Sequence, residues 1–222
     1  MISLFEELAG KETVYIIAVV VAYLLALLFS LGLHEWAHAF VAVRQGDETP
    51  RAYGRLSLNP LAHIDYLGMA CLVFFGFGWA KPVPINPLKF KSYRKGMFLV
   101  SFAGIFMNII LTIVGSFFYV LLVSKVGEGQ TILEIFGVNF FFYLTFISFT
   151  LAVFNLLPIY PLDGFNMLQT LVKRESKVLK FLEQYGNIIM IVFLLTPIFG
   201  IIISFLQSSV LLPLFTLWSL IL

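Results

Sequence analysis

Residues 13–43 read TVYIIAVVVAYLLALLFSLGLHEWAHAFVAV. From Thr13 to Leu33 there is no Asp, Glu, Lys or Arg. At about 1.5 Å of rise per residue, that run just crosses a bilayer core about 30 Å thick. His34, Glu35 and His38 follow at once, within a helix that stays apolar through Trp36, Ala37 and Ala39 to Val43. A carboxylate in such a helix is costly unless it is paired or has a task. The stretch predicts a membrane-spanning helix with a polar cluster near its inner end.

The rest of the chain has the same character. Of its 222 residues 60% are hydrophobic and 12% charged, and the mean hydropathy is +0.99. Soluble domains carry roughly 45–50% apolar and about 25% charged residues, so the composition excludes an ordinary soluble protein. Three further uncharged runs, Gly96 to Ser124, Ile135 to Leu162 and Gln184 to Leu222, are each long enough to cross a membrane. The expected fold is an all-α polytopic membrane protein, a single membrane-embedded domain over residues 1–222. It has about four to five transmembrane helices plus a re-entrant or hairpin element. There is no internal repeat, and Cys71 has no partner cysteine. The residues before Thr13 are mostly acidic, and no small-residue cleavage site follows the run, so it reads as a retained helix rather than a leader.

Charge placement sets the expected orientation. Twelve of the fourteen Lys and Arg residues fall in three segments, Arg44 to Arg55, Lys81 to Lys95 and Lys173 to Lys180. With these segments on the cytoplasmic side, the N-terminus lies outside and the first span enters the cell. Tyr66 to Ala80, rich in glycine and too short for a comfortable span, then begins and ends on one side, as a re-entrant element does. A span leaves after Gly96 and another returns near Leu157. A fourth leaves over Ile188 to Leu206, and Ser208 to Leu222 is expected to be a short final helix or an interfacial segment. The basic run Lys89 to Lys95 abuts a span, which suits anionic lipid headgroups better than nucleic acid. The bilayer is therefore an expected partner and nucleic acid is not.

His34-Glu35-Trp36-Ala37-His38 is an HExxH pattern. Spacing of i and i+4 puts both imidazoles on one helical face, where they can share one Zn²⁺, with Glu35 beside them to take a proton from a water. Alone the pattern is short, and the alternative is an interfacial polar cluster. A zinc site needs a third protein ligand, and Asp163 in Asn155-Leu156-Leu157-Pro158-Ile159-Tyr160-Pro161-Leu162-Asp163-Gly164 supplies a candidate. Two prolines break the helix there, so its freed backbone groups need internal partners or a water-lined cavity. The competing role for Asp163 is an N-cap on the helix that follows, and the two roles are compatible.

These blocks resemble the site-2 proteases, intramembrane zinc metalloproteases, and in particular their small bacterial branch without PDZ or CBS domains. HEWAHA at 34–39, GRLSLNPLAHID at 54–65, GFGWAKPVPINP at 76–87 and NLLPIYPLDG at 155–164 stand in the order of that branch. The resemblance implies one zinc per chain held by His34, His38 and Asp163, Glu35 as general base, and Asn155 near the scissile carbonyl. The substrates would be membrane proteins or peptides cut near the cytoplasmic membrane edge. Two positions depart from the pattern: Tyr160 replaces a frequent proline, and Ile105 stands in Ala103-Gly104-Ile105-Phe106-Met107-Asn108 where proline is expected.

Further positions are weighed against plainer roles. Asn108, on the far side of the small residues Ser101, Ala103 and Gly104, can bond to the metal site or contact substrate, or simply bridge two helices. His63 is expected in a loop rather than on the metal. Gly76, Phe77 and Gly78 open a stretch to Asn86 that reads as an edge strand able to pair with an unwound substrate, the plainer role being a loop packed over the site. Two other classes of function remain at this point: a non-proteolytic binder of transmembrane segments, and a metal transporter or sensor. Oligomeric state and substrate identity are not readable from the chain.

Overall fold

A computed structural model describes residues 12–68, 71, 80–173 and 175–222. Among these, the architecture is all-α, with helices α1 (Thr13–Arg44), α2 (Tyr93–Val126), α3 (Ile132–Leu156), α4 (Asp163–Leu171), α5 (Lys177–Leu195), α6 (Pro197–Leu206) and α7 (Leu212–Ile221). α1, α2, α3, α5 and the continuous stretch Pro197–Ile221 are long and apolar enough to cross a membrane. The protein is a multi-pass membrane protein.

The core is a three-helix unit of α1, α2 and α3. α1 meets its neighbours along a stripe that recurs every fourth residue: Ala18, Ala22, Ala26, Ser30, His34, His38 and Ala42, all buried. Small side chains let backbones approach closely where no hydrophobic force separates helix from lipid. Ser30 and Ser148 share a hydroxyl-to-hydroxyl hydrogen bond of 2.8 Å between α1 and α3. The buried face of α2 carries Ser101, Gly104, Asn108, Thr112 and Ser116. The Trp218 indole N–H donates to Ser116 Oγ at 2.9 Å, which fastens α7 to α2.

Helix ends follow local chemistry. α3 opens on a capping box in which Thr131 and Glu134 satisfy each other's backbone N–H groups. It closes where Leu157 turns extended before Pro158. α4 begins at Asp163 with Leu162 as its N-cap and no side-chain cap bond, so the Asp163 carboxylate is not spent on capping.

Three expectations change. The span expected over Ile188 to Leu206 is cut at Thr196, which is extended (φ −92°, ψ 155°) because Pro197 follows it. Where a short final helix or an interfacial segment is expected, the final residues continue from Pro197 to Ile221 as one stretch long enough to cross a membrane. A π-helical turn, Gln207–Leu211, joins α6 to α7 where Pro213 has no N–H for a regular ladder. No strand occurs among the described residues: the described part of the expected edge strand, Ala80 to Asn86, is an extended strap without a ladder partner. Gly76, Phe77, Gly78 and most of the expected re-entrant element lie outside the described residues.

Candidate metal centre

The stripe on α1 that packs the helices also delivers His34 and His38 to the interior, each 6% exposed. Their Nε2 atoms lie 3.0 Å apart. Asp163, at the first turn of α4, brings Oδ2 to 3.3 Å from His34 Nε2 and 3.2 Å from His38 Nε2. Gly164 makes that approach possible, because a side chain there would collide with the backbone of Leu156 and Leu157 at the end of α3. Gly104 of α2 forms the floor. A Cβ on it would sit 2.6 Å from His34 Cε1 and from His38 Cε1 and Nε2.

The chemistry of the donor set decides what fits between these atoms. His38 Nδ1 lies 2.7 Å from the Val100 carbonyl, which can only accept, so Nδ1 carries the proton and Nε2 of the neutral ring is a bare lone pair. Asp163 Oδ2 is buried with no hydrogen-bond partner. Unshared lone pairs thus converge within a triangle of 3.0–3.3 Å sides. Tetrahedral zinc with ligand bonds of about 2.0–2.1 Å separates its ligand atoms by about 3.3 Å. The three residues fit zinc and leave a fourth position open, as a catalytic site requires.

Asn108 presents its Nδ2 to the other nitrogen of His34, 3.1 Å from Nδ1, and its own Oδ1 is buried without a partner. A His34 that ligates through Nε2 carries its proton on Nδ1 and needs an acceptor there. Rotating the Asn108 amide by 180° would exchange Nδ2 for the unpartnered Oδ1 and supply that acceptor.

Glu35, half-buried on the adjacent face of α1, accepts the Val83 main-chain N–H at Oε2, 3.0 Å away. Asn155 lies near the end of α3 and donates one Nδ2 hydrogen to the Leu151 carbonyl at 3.0 Å, leaving a second. His63 is buried elsewhere, with Nε2 on the Ser57 carbonyl at 3.0 Å, and is not among the grouped ligand atoms. The structure therefore brings together His34, His38, Asp163 and Asn108. The contributions of Gly104, Val100 and Val83 escaped the sequence reading. Of these only Gly104 left a signal, a glycine in mid-span three residues after Ser101.

A polytopic helical membrane protein with a buried His-His-Asp triangle beside a glutamate defines the class of a membrane metallopeptidase. The profile of peptidase family M50 matches residues 123–197. "Putative zinc metalloprotease YwhC" of Bacillus subtilis is 39% identical over 178 residues, 78% of this chain and 80% of that protein. "Putative zinc metalloprotease Rip2" is 32% identical in Mycolicibacterium smegmatis and 31% in Mycobacterium tuberculosis strain H37Rv, in each case over 77% of this chain and 65% of the relative. No solved structure gives a significant match. The chain belongs to peptidase family M50, the site-2 proteases. It is a zinc metalloprotease of that family.

Proposed function

We propose that the chain is an intramembrane endopeptidase that cuts membrane-spanning substrates near the cytoplasmic edge of the membrane. One zinc per chain is held by His34, His38 and Asp163, and the N-terminus lies outside. The observation that carries this reading is the convergence of the three ligand atoms on one point inside a bundle of apolar helices.

Zinc, when bound, supplies Lewis acidity to the attacking water and the scissile carbonyl. Glu35 takes a proton from the water as its oxygen forms a bond to the carbonyl carbon. It returns that proton to the amine nitrogen as the C–N bond breaks, so atoms and charge balance. Asn155 offers its second Nδ2 hydrogen to the substrate carbonyl oxygen, where negative charge develops. Helix packing keeps bulk water from the ligands, and Gly104 leaves both imidazoles room.

A transporter would need charged or metal-binding groups continuing across the bilayer. The buried hydroxyls of Thr112, Ser116 and Thr145 instead donate to helix carbonyls of their own. Metal flux into proteoliposomes is expected to be absent. The decisive test is Glu35→Gln. Cleavage of a membrane-spanning peptide is expected to fall by about 10²–10⁴-fold with zinc retained. Cleavage at the wild-type rate would remove Glu35 from the role of base.

A further inference from the structure

We infer that the main-chain N–H of Val83 is a positioning group for Glu35, delivered by a proline-stiffened strap that crosses over the catalytic helix. The inference rests on the reading of Glu35 as general base.

The strap reads Ala80-Lys81-Pro82-Val83-Pro84-Ile85-Asn86-Pro87. Proline has no N–H, so between Lys81 and Ile85 the backbone owns a single donor, that of Val83. That donor is aimed at Glu35 Oε2, 3.0 Å away, and Val83 itself is buried. Pro84 confines Val83 to extended backbone, and Pro82 fixes its own φ immediately upstream, so the direction of this N–H is stiff.

Both ends of the strap are tied by backbone donors. Lys81 N–H bonds to the His63 carbonyl at 2.8 Å. Asn86 N–H bonds to Asp47 Oδ2 at 2.6 Å, and Lys91 N–H to the Gln45 carbonyl at 2.9 Å. Asp47 is fully buried just past the end of α1 and also accepts the Thr49 N–H. The strap is thereby anchored to the residues just past the end of the helix that bears Glu35 and to the turn that carries His63.

A glutamate on a helix has several side-chain rotamers, and the bond from the Val83 N–H selects among them. With Oε2 held by Val83, Oε1 is left as the proton acceptor. Misplacement of a catalytic group by about 1 Å can cost 10²-fold in rate. Holding the carboxylate is thus worth a factor of about 10–100.

The experiment uses the intact 222-residue chain in detergent. Because prolines flank Val83, hydrogen exchange over residues 82–84 reports that one amide. In Glu35→Ala it is expected to exchange at least ~10-fold faster than in wild type, because the acceptor is gone. Equal rates would overturn the contact. Val83→Pro removes the donor while Val83→Ala keeps it. With zinc content equal in the two, Val83→Pro is expected to have a kcat about 10–100-fold below Val83→Ala at the same KM. Equal kcat values, or a change confined to KM, would overturn the positioning role. Failure of the underlying reading looks different: an active Glu35→Gln with Val83 still protected would sink the base and leave the contact standing.

Discussion

At Gly104 one added carbon would meet His34 and His38 at 2.6 Å, closer than side chains pack, and the nearest atoms belong to rings already fixed on both sides. Gly104→Ala is therefore expected to push α2 away from α1. The ligand triangle opens, with loss of bound zinc by elemental analysis and a fall in cleavage of about 10²-fold. Asn108 contacts His34 at Nδ1. Asn108→Ala is expected to weaken zinc binding by about 10–100-fold in competition with a chelator, whereas Asn108→Asp keeps an acceptor for Nδ1–H and loses less. The residues of the centre were legible because each is expensive where it stands: two histidines and two carboxylates beside uncharged runs need a reason. Val83 was not legible, because its contribution is a main-chain N–H and its side chain is an ordinary valine.

Among the elements, the strap and α1 depend on each other through Asp47. Burial works to raise the Asp47 carboxyl, but hydrogen bonds from Thr49 and from the Asn86 N–H, with Lys89 nearby, hold it below its ordinary value. A depressed folded-state pKa stabilises the fold above the unfolded value near pH 4, and that stabilisation is lost as pH falls through the folded value. Asp47→Ala leaves two N–H groups without their acceptor and is expected to cost about 3 kcal/mol. The measurement is proteolytic nicking within residues 80–91, expected to speed up in the variant and, in wild type, at acid pH. The spans were readable from the charge-free runs. Their ends were less so, because the break at Thr196 lies within unbroken hydrophobicity and only Pro197 marks it. The stripe along every fourth residue of α1 is visible in the sequence, but a stripe says that something packs there, not which helix does.

Over the whole molecule, the centre joins parts that are otherwise held by side-chain packing. Two ligands come from α1, the third from the start of α4, and α2 lies against both imidazoles. A metal bound there is a cross-link as well as a reagent. Stripping it with a chelator is expected to lower Tm, by an amount equivalent to about 4 kcal/mol where free zinc had stood at a thousand times Kd. Glu35→Gln is expected to show the same drop, since it keeps the ligands. The order of the ligands along the chain has its own consequence. A ribosome delivers His34 and His38 early, and Asp163 only after two more long hydrophobic helices have been made. Until then the nascent chain holds two-thirds of a binding site and no protease.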